Sequence, residues 1–133
     1  MASISDVVAG QELGKTGFRL EASMVREYLS AVEDSSDLYK EGNLVPPTAI
    51  AALGVRAILE ELSLPPGTLH AAQELTMHRV AAADDAVICK ARVAQSSNRQ
   101  GWQFVVVEFT IVDDEANEIL DGRTTLLVPP GDQ

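Results

Sequence analysis

PPTAIAALGVRAILEEL, residues 46–62, is the stretch on which the reading of this chain turns. Prolines cannot extend a helix backward but suit its first turn, where a missing N–H costs nothing, so a helix is expected to begin at Pro47 or Thr48. No charge occurs from Thr48 to Val55. Ile50, Leu53, Ala57 and Ile58 fall on one side of a 3.6-residue period. Ala51, Ala52, Val55 and Leu59 fall on much of the other, whereas a surface helix shows a single apolar stripe. The expectation is a helix buried nearly all round. Only its last turns carry Arg56, Glu60 and Glu61, and Pro65-Pro66-Gly67 stops it, so its tail should emerge toward solvent.

Outward from this helix the pattern changes. Upstream, residues 1–15 are polar and unpatterned, which predicts a flexible arm, with the folded domain running from 16 to 133. Thr16 to Leu20 suits a short strand. Met24, Val25, Tyr28, Leu29 and Val32 recur at helical spacing behind Ser23, giving a first helix with one apolar face up to about Glu33. A polar, turn-rich connection, residues 34–43, then leads into the prolines.

Downstream the period drops from 3.6 to 2. Leu69, Ala71, Gln73, Leu75 and Met77 alternate with His70, Ala72, Glu74, Thr76 and His78, as a strand requires. Residues 86–95 form a second strand with Val87, Cys89, Ala91 and Val93 facing in. Residues 102–112, WQFVVVEFTIV, are the densest run of β-branched and aromatic residues, and 118–128 complete the set. Short turns between these strands predict an antiparallel meander, and one apolar helix against its concave face satisfies burial for both. The fold class is therefore α+β: a single hot-dog domain, in which a curved antiparallel sheet wraps a long central helix.

With 133 residues the chain can bury a core without disulfide or metal. Its single cysteine, Cys89, alternates with apolar neighbours and has no basic residue to lower its pKa, so it reads as core rather than nucleophile. One cysteine and no apolar signal stretch after Met1 point to the cytoplasm, and no run approaches the ~20 apolar residues of a membrane span. The formal charge is −10, with the ten basic residues dispersed, which argues against a nucleic-acid partner. His70 and His78, eight residues apart on one strand, would be separated by roughly 26 Å, so they cannot share a metal, and no cofactor is expected.

Four segments in this order resemble the MaoC-like dehydratase family, hot-dog proteins that include the (R)-specific enoyl-CoA hydratases. They are YLSAVEDSSDLY (28–39), the PPT entrance of the long helix (46–48), GTLHAAQELTMHR (67–79) and GRTTLLVP (122–129). The resemblance implies an acyl-CoA or other acyl thioester as ligand, with its carbonyl at the start of the buried helix, against Pro47, Thr48 and Ala49. In active members a Gly-Asp-x-Asn-Pro-x-His loop supplies an Asp and a His that together activate water. Here Asp34 keeps the acid position and Tyr39 stands at the His position. An ordinary tyrosine, with a pKa near ~10, does not act as a base at neutral pH. Active members also polarise the thioester carbonyl with backbone N–H groups at that helix start, and Pro46-Pro47 can supply none.

These departures are similar to the degenerate half of two-part dehydratases, which shapes the acyl tunnel beside a catalytic hot-dog. Three functions remain compatible with the residues. One is an acyl-thioester-binding subunit that needs a partner for catalysis, in a homodimer or a heterodimer with another hot-dog chain. The second is an active hydratase or dehydratase using Asp34 with a compensating group. The third, a thioesterase, would want a carboxylate on the buried helix, which Thr48 to Val55 lack. An assembly subunit without ligand competes with all three.

Overall fold

The computed structural model describes residues 2–32 and 44–131. The elements are β1 (Ala2–Ser3), a 3-10 turn (Ile4–Asp6), β2 (Glu12–Arg19), α1 (Ala22–Ala31), α2 (Pro47–Glu61) and β3 (Leu62–Ser63). Then follow β4 (Leu69–Met77), β5 (Ala86–Arg99), β6 (Trp102–Asp113) and β7 (Glu118–Val128). Five strands form one antiparallel sheet in the order β2-β5-β6-β7-β4, and α2 packs against one face of it. A second, two-stranded pairing joins β1 to β3 in parallel.

The face toward α2 holds the core. Val105, Val107, Phe109 and Ile111 of β6 and Leu120 and Leu126 of β7 alternate inward and are almost completely buried. Burying such side chains contributes about 1.5–3 kcal/mol each, which is the main term holding helix to sheet. Contact is closest at Gly54 of α2. A Cβ there would lie 2.7 Å from Ile111 Cδ1, and the Cys89 thiol lies 3.9 Å from the Gly54 carbonyl oxygen.

The opposite face is a solvent face, and its register lines up Glu12, Arg92, Glu108, Arg123 and Glu74, one residue per strand with alternating sign. Arg92 Nη2 donates to Glu108 Oε2 at 2.8 Å, while Arg123 Nη2 stands 3.8 Å from Glu108 Oε1. Cross-strand neighbours of opposite charge favour this register by a few tenths of a kcal/mol per pair.

Four expectations are corrected here. The strands are not one meander: β5, β6 and β7 are, but β4 pairs with β7 at the far edge, so residues 78–85 cross the end of the sheet. Ala81 O accepts the Val45 N–H at 2.8 Å, and Leu20 exchanges backbone hydrogen bonds with Asp84 and Asp85, which anchors that crossing to the segments before α2 and after β2. The first strand starts at Glu12, not Thr16, and residues preceding it pack rather than fray. Ile4 and Val7 are buried, the buried Gln103 amide donates to Ile4 O at 2.9 Å, and Gly10 N–H donates to Val93 O.

Thirdly, α2 is not buried all round. Thr48, Ala52, Arg56 and Glu60 form an exposed stripe at i, i+4, because the sheet covers only the opposite side. Finally, a β-bulge between His70 and Ala72 resets the alternation of β4. His70, paired with the buried Leu126, faces α2 together with Gln73, Leu75 and Met77, whereas a strict period of 2 assigns His70 to the other side.

Candidate functional site

The entrance of α2 is built from a run of backbone commitments. Val45 is tied to Ala81 and Leu44 bridges to Ala82, so the chain enters the helix from a fixed position. Pro46 is the N-cap, with an extended φ/ψ of −58°/139° and no side-chain cap. Its carbonyl oxygen accepts from Ala49 N–H at 3.0 Å and Ile50 N–H at 3.2 Å. Pro46 and Pro47 have no N–H to give. Of the residues opening the helix, that leaves Thr48 N–H, which has no acceptor among the described residues. Its side chain is engaged separately: Thr48 Oγ1 and Tyr28 OH lie 2.5 Å apart, linking α2 to α1.

Such an arrangement has limited chemical reach. A helix start normally directs several amides and the positive end of its dipole at an anion. Here Ala49 N–H is spent inside the first turn, and a developing oxyanion would find one amide and one shared hydroxyl. Of the three residues assigned to the thioester, Pro47 is half-buried, Thr48 exposed and Ala49 buried. Asp34 and Tyr39, the residues at the family's acid and base positions, lie outside the described residues.

Grooves flank α2 on both sides. One, of about 450 Å³, runs between Ala52, Val55 and Leu59 of the helix and His70 and Gln73 of β4. The other, about 420 Å³, lies toward β2 and α1. Beside Gln73, and opposite it in register, Thr124 is buried with its hydroxyl unpartnered among the described residues. His70 and Gln73 thus add polar groups to a groove that the Arg56 and Glu60 side chains also line, with the Thr124 hydroxyl buried beside Gln73. Sequence reasoning missed them because the bulge, not composition, sets the face on which His70 lies.

Edge strand β4 is exposed along most of its length, and among the described residues no strand lies beside its outer backbone groups. Cys89 plays no part in a nucleophilic site. Burial raises its pKa to about 11, which keeps the thiol protonated at neutral pH. Among the described residues no helix is long and apolar enough to cross a membrane.

A five-stranded antiparallel sheet packed on a long helix, with a second short helix at that helix's entrance, defines the hot-dog class. Solved structures of this class superpose on nearly the whole chain. The MaoC-like dehydratase from Rhodospirillum rubrum aligns with a TM-score of 0.80 at 13% identity, covering 98% of each chain. The R-hydratase PhaJ1 from Pseudomonas aeruginosa gives 0.78 at 15% identity over 96% of this chain and 85% of the other. The HadBC (3R-hydroxyacyl-ACP dehydratase) complex from Mycobacterium tuberculosis gives 0.76 at 17% identity, covering 93% of this chain and 99% of the other. At these identities the likeness establishes the fold. Family membership comes from a sequence-family model described as "FAS1-like, dehydratase domain region", which matches residues 7–121; the chain belongs to that family. No curated protein matches it.

Proposed function

We propose that this chain is an acyl-thioester-binding hot-dog subunit of an enoyl-thioester hydratase or 3-hydroxyacyl-thioester dehydratase that depends on a partner for catalysis. The observation that carries this reading is the entrance of α2. Two prolines remove amides where a thioester carbonyl would be polarised, and the first turn consumes the Ala49 and Ile50 N–H groups, leaving Thr48. Losing a single donor of an oxyanion hole lowers turnover about 10²–10³-fold, so a site with one remaining amide is poorly equipped for the chemical step. Tyr39 in place of a histidine points the same way.

Binding asks less than catalysis. Val55 and Leu59 line one groove beside α2 and Phe18, Met24 and Leu53 the other, apolar surface that an acyl chain can contact, while the charged Arg56 and Glu60 line both. A second hot-dog subunit suits the half-exposed Leu53 and Leu59, the exposed Ala52 and the unpaired edge of β4, which a neighbouring strand would extend and protect. We assign the partner as another copy or a related hot-dog chain, in the compartment that a lone buried thiol suits, the cytoplasm. Titrating butyryl-CoA into the purified chain, with sedimentation in parallel, tests the binding half of this reading. Saturable binding by a dimer is expected. A 14 kDa species at micromolar concentration that binds no acyl-CoA would leave the assembly role without ligand as the better reading.

A further inference from the structure

On the solvent face of the sheet, away from α2, three side chains with metal-ligating atoms converge. His78 follows the end of β4, Glu118 opens β7, and Asp121 lies further along β7. One donor atom from each lies within 4.8 Å of the other two. Their backbones are held in place: His78 N–H and Arg79 N–H both donate to Ile119 O, at 2.9 and 3.2 Å, which stitches the end of β4 to β7 between the two acids. His78 Nε2 stands 2.8 Å from Asp121 Oδ2, and the Thr110 hydroxyl donates to Asp121 Oδ1 at 3.2 Å, fixing the carboxylate's orientation.

The charge balance of this group is unusual for the face it occupies. Glu108, one register row away, is shared between two arginines. Neither Glu118 nor Asp121 has a lysine or arginine within ion-pair distance among the described residues, so two carboxylates flank one imidazole with no fixed cation between them. Like charges held this close are unfavourable unless positive charge joins them. A hollow of about 420 Å³, bounded by Thr76, Thr110, Glu118 and Asp121 and, at Arg123, by a guanidinium directed to Glu108, lies beside the group and leaves room for water on an ion.

We propose that His78, Glu118 and Asp121 bind a divalent transition-metal ion of the zinc class. The donor set decides the class. An imidazole nitrogen with two carboxylate oxygens suits Zn²⁺ and its neighbours, whereas Mg²⁺ and Ca²⁺ take oxygen ligands. Nitrogen and oxygen ligands sit about 2.0–2.2 Å from a tetrahedral Zn²⁺, so two of them around one ion are about 3.3–3.6 Å apart. A pair at the cluster's 4.8 Å limit therefore has to close by roughly 1.4 Å, a rotation open to the exposed Glu118 side chain. The ion would clip the free edge strand β4 to β7, and water would complete its coordination.

The test is a calorimetric titration of Zn²⁺ alone into the metal-free full-length chain, with the imidazole resonances followed by NMR. The chain has only two histidines. His70, on the face toward α2, is a built-in control. Saturable 1:1 binding should shift the His78 signals and leave those of His70 in place. His78→Gln should weaken binding about ten-fold or more, and Glu118→Gln and Asp121→Asn should each weaken it too. His78 and Asp121 side chains are 36% and 43% exposed, so these variants are expected to fold, which circular dichroism checks. Absence of saturable binding, binding unchanged in His78→Gln, or equal shifts of both histidines would each overturn the assignment.

Discussion

Gly122 is the position at which a single methyl group should be most costly. It lies on β7 directly opposite Phe109 of β6, both on the inner face. A Cβ built there would sit 2.1 Å from Phe109 Cζ, 2.5 Å from Cε1 and 2.7 Å from Cε2, so the ring lies flat over the glycine. Ordinary carbon contacts are about 3.5–4.0 Å, so Gly122→Ala requires the ring to withdraw by roughly 1.4 Å or more. Phe109 is 2% exposed, so its ring is packed in the core. Forcing a methyl into a packed interior typically costs about 1–3 kcal/mol.

Against this stands the entropy that alanine removes from the unfolded chain, about 0.4–1 kcal/mol, available because Gly122 does not need a positive φ. The net expectation is a loss of about 1–2 kcal/mol, or roughly 3–8 °C in Tm for a chain of this size. Urea and thermal unfolding of Gly122→Ala, Phe109→Leu and the double variant measure it. Because leucine removes the ring that alanine strikes, the double variant should be more stable than the sum of the single effects by about 1 kcal/mol. A Gly122→Ala protein as stable as wild type, or strict additivity, would refute the reasoning.

The buried Cys89 thiol, with its pKa raised to about 11, favours its neutral form in the folded state. Its contribution is complete below the unfolded value of about 9 and is lost as pH rises through about 11, a fall of roughly 2–3 kcal/mol at most. The stability difference between wild type and Cys89→Ala should shrink accordingly between pH 8 and 11, and a difference that is flat with pH would contradict it. Asp113 carries the opposite sign. Hydrogen bonds from the Asn117 backbone, then its side chain and the Glu115 backbone, hold its carboxyl below the usual range. Stability from this turn is present above ~3.9 and is lost as pH falls through the depressed folded value, so Asp113→Ala should flatten the acid limb of a pH–stability curve. Thr48→Val and Tyr28→Phe should each cost up to about 1 kcal/mol and together little more than either alone, because both remove the same hydrogen bond.

Local chemistry made much of the fold legible. The prolines and the apolar run placed α2 within a residue of its observed bounds, and alternation found β4 to β7. What escaped was non-local. Nothing in residues 78–85 says that they cross the sheet instead of making a hairpin; their anchors are Leu20 and Val45, dozens of residues away. The bulge at Ala71 has no compositional mark, since it falls between His70 and a second alanine, Ala72, with no glycine or proline beside it. The exposed stripe of α2 was hidden because Ala52 sits in it and hydropathy treats alanine as core. At the candidate site, the proline entrance was readable in the sequence, but the pairing of Thr48 with Tyr28 depends on where α1 settles.

Crotonyl-CoA hydration by the purified chain, with Asp34→Asn run alongside, is the most direct test of the claim that this subunit does not complete the chemistry by itself. The expected result is no turnover above the uncatalysed rate, from wild type and variant alike. Robust hydration by the chain alone, abolished by Asp34→Asn, would contradict it and make Asp34 a working acid in a self-sufficient hydratase.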